Sequence, residues 1–148
     1  MKTLHIDIET YSDIDLAKAG LYKYVQSPAF EILLFAYAYD YEPVRIIDMA
    51  AGEQMPPQIV RDLGDPNVKK TAHNAAFEIN CLSKFYHTEV CQWHCTMVHA
   101  YYCGLPGQLG GLGKALGLPE NKQKMAAGRQ LIHYFCVPCT PTRTNYGR

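Results

Sequence analysis

The sequence predicts an α/β domain built on a mixed sheet that is flanked by helices. The first part of the chain contains three strand-like segments, which predict the antiparallel part of that sheet. The rest alternates helical and strand-like segments and then becomes mainly helical. Because domains usually contain roughly 100–200 residues, we expect residues 1–148 to form one domain.

The first strand is predicted from Lys2 to Ile8, because apolar and polar residues alternate there. One face carries Leu4, Ile6 and Ile8, and the other carries His5, Asp7 and Glu9. We therefore expect a central strand that has one face in the core and the other at a polar site.

A hairpin is predicted next. Asp15–Val25 is a short, weakly helical or irregular excursion, and Glu31–Tyr41 has the apolar and aromatic content of a buried strand. Glu42 and Pro43 favour a turn, after which Val44–Met49 is the returning strand.

Helices and short strands alternate in the second half of the chain. Prolines 56 and 57 open a helix that continues to Leu63, and residues 64–67 end it. Val68–Ala72 is predicted to be a short strand, followed by an amphipathic helix over Ala75–Tyr86. Beyond these we expect a strand over Glu89–Trp93, helices over Thr96–Tyr102, Leu109–Leu116 and Asn121–Tyr134, and a turn-rich tail.

Composition excludes several classes of protein. A chain that is 48% hydrophobic and 19% charged is not intrinsically disordered. A net charge of zero excludes a uniformly basic nucleic-acid binder. The longest apolar run, Ile32–Tyr39, is too short to span a membrane, and the N-terminus has no signal-peptide core. We expect a cytoplasmic protein that has no membrane partner.

Charge is distributed unevenly along the chain. Residues 1–96 contain thirteen acids and eight bases, whereas residues 97–148 contain one acid and six bases. The first part could hold metal ions and the second could face phosphates, with Lys114, Lys122, Lys124 and Arg129 as candidates. A chance gradient over solvated surfaces is the alternative.

The six cysteines leave a zinc site open as a second interpretation. Cys91 and Cys95 form a C-x3-C pair, and Cys136 and Cys139 form a C-x2-C pair, and such pairs occur in zinc sites. Cysteine is also a common buried residue, and the second pair could simply lie in a turn.

Carboxylates provide the strongest chemical signal. Asp7 and Glu9 are two residues apart on a strand and point to the same face, where a divalent cation would relieve their repulsion. Oxygen ligands of this kind suit Mg²⁺ or Mn²⁺. Asn74 is placed to cap the helix that follows it, which leaves Glu78 in the first turn, where it could project toward the first strand. An ordinary first-turn acid is the alternative for Glu78.

Together these residues resemble two motifs of the DEDD superfamily of 3′–5′ exonucleases, as found in the proofreading domains of phage and bacterial family-A DNA polymerases. The D-x-E-T motif matches residues 7–10, and the N-x-x-F-D motif matches residues 74–78 with Glu in place of the last Asp. The resemblance covers nearly the whole chain. It implies a ribonuclease-H-like fold with three antiparallel N-terminal strands followed by parallel strands.

The resemblance also implies roles for individual residues. Asp7, Glu9 and Glu78 would be catalytic and would bind two Mg²⁺ or Mn²⁺ ions, with Asp7 bridging the ions. Thr10, Tyr11, Asn74 and Phe77 would bind the 3′ end of single-stranded DNA. Tyr11, Tyr22 and Tyr24 are candidates for stacking on bases.

The third motif of the superfamily, a Tyr or His followed four residues later by Asp, is missing. Asp65 is the last Asp, and the only acid after Glu89 is Glu120, which Leu116 precedes by four residues. We therefore expect a domain truncated before this motif, with a polymerase domain encoded downstream. Without the fourth carboxylate, the chain would be weakly active or inactive and would bind at most one ion.

Two other classes of function stay open at this stage. One is a non-catalytic module that has an exonuclease-like fold and contacts DNA or a polymerase. The other is a Cys/His zinc protein.

Overall fold

The computed structural model describes residues 1–119 and 126–139 of the chain. Five strands in these ranges form one sheet in the order β3-β2-β1-β4-β5. The strands are β1 Thr3–Tyr11, β2 Glu31–Tyr39, β3 Arg45–Asp48, β4 Lys69–Ala72 and β5 Trp93–Cys95. The helices are α1 Leu16–Ala19, α2 Leu21–Gln26, α3 Pro57–Gly64, α4 Ala76–Ser83, α5 Thr96–Tyr102, α6 Leu109–Ala115 and α7 Ala126–Phe135.

The sheet is mixed, as expected. Strands β1, β2 and β3 pair antiparallel, whereas β4 pairs parallel with β1, and β5 pairs parallel with β4. The first strand lies at the centre of the sheet, which confirms its predicted place. The predicted hairpin and the bounds of helix α5 are also confirmed.

The core lies on the face of β1 that carries the even-numbered residues. Leu4, Ile6 and Ile8 are buried there, whereas His5 and Asp7 on the opposite face are exposed. Helices α2, α3 and α4 contribute the other side of the core, through Tyr24, Val25, Ile59, Leu63, Cys81 and Leu82. Burial of these apolar side chains fixes the face of β1 on which the acids project.

The expected strand over Glu89–Trp93 is wrong in position. Strand β5 begins at Trp93 and pairs its three residues with Lys70–Ala72. The Glu89 carboxylate accepts a hydrogen bond of 3.1 Å from the Cys91 backbone N–H. This local turn competes with strand pairing at residues 89–91.

The last predicted helix lies only partly within the described residues. Helix α7 covers Ala126–Phe135, so the expected helix over Asn121–Tyr134 is present in its second half. Its first residues, and most of the expected turn-rich tail, lie outside the described residues. No helix within 1–119 or 126–139 is both long and apolar enough to cross a bilayer.

Lys84 joins the end of helix α4 to the end of helix α2. Its ammonium donates a hydrogen bond of 2.7 Å to the Val25 carbonyl and a second one to the Ser27 carbonyl. The same ammonium lies 5.0 Å from the centre of the Phe30 ring. A cation at the carbonyl end of a helix is stabilising, so this contact helps to hold α4, which carries Glu78.

We predict that Lys84→Met lowers the free energy of unfolding by about 1–2 kcal/mol, because two carbonyls lose a charged donor. Lys18→Met is the matched control, since the Lys18 ammonium lies at the exposed surface, 3.4 Å from the Asp15 carboxylate. We expect a change below about 0.5 kcal/mol in this control. Urea unfolding measures both values, and equal losses would contradict the assigned contact.

Candidate active site

Strand β1 carries Asp7 and Glu9 on the face opposite the core. Asp7 is exposed and pairs with the small residue Ala36, whereas Glu9 is half-buried and pairs with Leu34. A bulge then shifts the pairing, so that Thr10 lies opposite Ile32. Bulges bend a strand and redirect its side chains, and this one lies directly after the acids.

Glu78 lies in the first turn of helix α4 and is only 3% exposed. Its Oε2 atom is buried and has no hydrogen-bond partner among the described residues. Burial, followed by the negative charge of Asp7, raises the pKa of the Glu78 carboxyl to about 8, although a backbone hydrogen bond opposes the shift. The charge of Asp7 is therefore close enough to disfavour the ionised form of Glu78.

The three predicted ligands do not form a closed metal centre. Across the described ranges, no three His, Cys, Asp or Glu side chains form a group that could hold a metal ion. The Asp7–Glu78 pair nevertheless fits a hard cation, because its donors are oxygens and a buried carboxyl oxygen lacks a partner. Glu9 shares the strand face of Asp7 two residues away.

A cleft of about 520 Å³ lies beside the C-terminal end of β1. Glu9 and Thr10 line one part of this cleft. Ile132 of helix α7 and Cys136, the residue directly after that helix, line another part. Phe77 also lines this cleft, and the surface of the cleft is mostly apolar. The Cys136 thiol donates to Glu9 Oε2 across 3.8 Å, so the end of α7 contacts one of the predicted ligands.

Two of the predicted substrate residues are buried. Thr10 is 4% exposed, lines the cleft and shares a hydrogen bond of 2.9 Å with the Tyr24 hydroxyl. Tyr11 is 7% exposed. Among the three tyrosines considered for stacking, Tyr11 and Tyr24 are buried and Tyr22 is exposed. Tyr22 is therefore the one whose ring is open to solvent.

Asn74 does not cap helix α4, so that prediction is wrong. The cap position belongs to Ala75, and no side-chain cap bond is described there. Asn74 instead adopts a left-handed backbone with φ of 70°, and its carbonyl accepts from the Phe77 N–H at 2.9 Å. Asparagine tolerates this conformation better than most residues. Its side chain is exposed just before the helix that carries Phe77 and Glu78.

The charged and thiol candidates are more scattered. Lys114 is exposed, whereas Lys122, Lys124 and the side chain of Arg129 lie outside the described residues. The four cysteines considered for zinc, Cys91, Cys95, Cys136 and Cys139, are exposed or half-buried and form no disulfide within the described residues. They belong to no group of potential ligands in the part of the chain that the structure describes.

Sequence patterns gave no sign of the contact between Cys136 and Glu9. The two residues are 127 positions apart, and neither spacing nor composition connects them. The contacts of His73 were also not predicted, because a single histidine after a strand belongs to no recognisable sequence motif. Its two ring nitrogens lie within hydrogen-bond distance of Thr96 Oγ1 and of the Gly107 carbonyl oxygen.

Comparison with known proteins identifies the family. The family described as 3′–5′ exonuclease matches residues 14–147, a range that begins after Asp7 and Glu9. The DNA polymerase of Bacillus phage SP02 is 53% identical over 147 residues, which are 98% of this chain and 22% of that polymerase. The chain thus spans about a fifth of the length of this relative.

Solved structures agree on the fold. Brucella melitensis NrnC superposes with a TM-score of 0.62 at 16% identity, over 84% of this chain and 56% of that chain. A structure of the same protein with bound Mg²⁺ gives a TM-score of 0.61 at 15% identity, over 86% of this chain and 63% of that chain. The predicted ribonuclease-H-like fold is confirmed.

The raised pKa of Glu78 predicts an unusual pH dependence of stability. Because the folded chain holds the Glu78 proton up to pH of about 8, whereas the unfolded chain releases it near 4.5, stability falls as pH rises between these values. Glu78→Gln removes this loss. Its Tm should match that of the wild-type chain near pH 4.5 and exceed it by about 4 °C or more at pH 8.

Thermal unfolding across this pH range, without divalent ions, measures the difference. Glu42→Gln, at an exposed acid, is the control and should follow the wild-type curve throughout. A constant difference between Glu78→Gln and wild type at every pH would show that Glu78 titrates normally.

Proposed function

This chain belongs to the 3′–5′ exonuclease family, and on that premise we propose that it hydrolyses the 3′-terminal phosphodiester of single-stranded DNA, slowly, as the proofreading domain of a phage-type DNA polymerase. The observation that carries the proposal is the buried Glu78 carboxyl, which has a partnerless oxygen among the described residues and is influenced by the charge of Asp7. Similarity to a phage DNA polymerase supports the choice of DNA.

Asp7, Glu9 and Glu78 are the residues that would hold Mg²⁺ or Mn²⁺. Bound there, the ion would supply activation of a water molecule and stabilisation of the leaving 3′ oxygen. A buried carboxyl that keeps its proton at neutral pH must release that proton when it binds a cation. Ion binding to this chain should therefore release a proton from Glu78 and tighten as the pH approaches 8.

The cleft would receive the terminal nucleotide. Phe77 would offer an aromatic ring there, and the lining around Glu9 is mostly apolar. Thr10 is buried, so it would act indirectly. Its hydrogen bond to the Tyr24 hydroxyl would hold this part of the cleft in place. Asn74, which is exposed just before helix α4, would hydrogen-bond the nucleotide.

The missing third motif limits the rate. The sequence has no Asp after Asp65, so the Tyr/His-x-x-x-Asp motif that would supply a fourth carboxylate and an orienting residue for water has no counterpart in these 148 residues. Loss of such pre-organised groups typically lowers a rate by about 10²–10⁴. The chain itself should therefore act far more slowly than a site with four carboxylates.

A non-catalytic role is the second candidate function. It is favoured by one observation, that the described residues include no group of three metal-binding side chains. In that case the fold would contact DNA or a polymerase without chemistry. The two candidates differ in their response to Mn²⁺, because a ligand that binds only the folded chain raises its Tm.

We predict that Mn²⁺ raises the Tm of the wild-type chain and that Asp7→Ala abolishes the increase. The physical reason is that Asp7 is the exposed carboxylate facing Glu78, and the remaining groups cannot hold the ion alone. Glu42→Gln should retain the increase in full. A wild-type Tm that does not respond to saturating Mn²⁺ would favour the non-catalytic role.

Slow trimming of a 5′-labelled single-stranded oligonucleotide in Mn²⁺ is the expected activity. Asp7→Ala should lower its rate at least about tenfold, since removal of one catalytic carboxylate costs at least about 1.4 kcal/mol of barrier. Denaturing gels resolve the products, and Glu42→Gln is again the control. Trimming that survives Asp7→Ala would refute the proposed site. Fast trimming that is lost in the variant would show that the third motif is dispensable.

A further inference from the structure

His73 follows strand β4, directly before Asn74, and both nitrogens of its ring have partners. Nε2 lies 2.7 Å from the carbonyl oxygen of Gly107, and Nδ1 lies 3.0 Å from Thr96 Oγ1. Because a carbonyl oxygen can only accept, Nε2 carries a proton and donates it to Gly107. One imidazole therefore joins the end of β4, the start of α5 and the loop before α6.

Thr96 completes a second connection at this point. Its hydroxyl oxygen lies 3.3 Å from the Ala72 carbonyl oxygen, the last carbonyl of strand β4, and its single proton can be given either to this carbonyl or to Nδ1 of His73. Ala72 and Cys95 are also partners in the parallel pairing of β4 and β5. The backbone on either side of His73 is thus tied to the first residue of α5.

Gly107 also lies against the Tyr101 side chain. A Cβ atom added to Gly107 would lie 2.1 Å from Cζ of the Tyr101 ring, which no real contact allows. The loop backbone therefore lies directly against this ring, while its carbonyl accepts from His73. The loop has two separate contacts, one from β4 and one from α5.

Asn74 is the next residue along the chain after His73, and its backbone conformation is unusual. Its left-handed backbone, with φ of 70°, is sparsely populated by residues other than glycine, so it persists where the surroundings hold it. Glu78 is held differently, because the next turn of α4 buries Cys81 and Leu82 completely in the core. Loss of His73 should therefore disturb Asn74 and leave Glu78 in place.

We propose that His73 is a positioning residue for the part of the site that binds substrate. By anchoring the junction between β4 and α4 to Thr96 and Gly107, His73 holds Asn74 in position for the terminal nucleotide. This inference rests on the proposed function. It assigns His73 no contact with the metal or the reacting atoms. Its signature is a loss of substrate affinity without an equal loss of metal affinity.

The first test is amide hydrogen exchange in the metal-free chain. His73→Phe keeps a planar ring and removes both nitrogens, and it should speed exchange about tenfold or more at the amides of residues 74–76, 104, 105 and 107. His73→Gln keeps an amide donor for Gly107 and should restore protection in part. His99→Phe, at an exposed histidine of α5, should behave as wild type. Unchanged exchange in His73→Phe would overturn the proposal.

The second test separates substrate from metal. Anisotropy of a labelled single-stranded oligonucleotide in Ca²⁺ should show a Kd about tenfold higher for His73→Phe and an intermediate value for His73→Gln. The Mn²⁺ concentration that gives half of the Tm increase should change less than about twofold. Equal losses of both affinities would make His73 merely structural and would overturn the positioning role.

Failure of the proposed function would look different. A wild-type chain that binds no oligonucleotide would refute the exonuclease assignment of the cleft. The exchange comparison would still decide whether His73 fixes the Asn74 junction, since it needs neither metal nor DNA.

Discussion

The Glu78 carboxyl is the constraint on which the rest of the site depends. It is buried against the core, one of its oxygens has no hydrogen-bond partner within the described part of the chain, and the charge of Asp7 lies within reach. A carboxylate in that position is costly unless it keeps a proton or meets a cation. A fold stabilised only by packing would gain from an apolar residue there, so the carboxyl points to function.

Topology brings this group to Asp7. Strand β1 is central and pairs parallel with β4, so the ends of both strands lie at the same edge of the sheet. The chain leaves β4 through His73 and Asn74 and enters α4, which places Glu78 beside β1. Two motifs about seventy residues apart in sequence thus meet because two strands are neighbours. The bulge after Glu9 and the contact of Cys136 with Glu9 complete this edge.

Elements with strong periodicity could be predicted from the sequence, and sites decided by long-range contacts could not. Alternation in β1 gave the buried and exposed faces, and the motifs gave the family. The consecutive burial of Thr10 and Tyr11 follows from the bulge, which alternation does not reveal. Asn74 was expected to cap a helix because its residue type favours caps, but the junction requires a left-handed residue. The Cys136–Glu9 contact joins distant segments that have no common pattern.

The pKa of Glu78 itself tests the central claim most directly. Carbon-detected NMR of the side-chain carboxyl, followed from pH 3 to 10 without divalent ions, reports this value in the wild-type chain and in Asp7→Asn. We expect a midpoint of about 8 in the wild-type chain, well above the usual 4.5, and a lower midpoint when the charge of Asp7 is removed. A midpoint near 4.5 in both chains would contradict this expectation. It would show that the Glu78 carboxyl is not buried without a partner and does not feel the charge of Asp7.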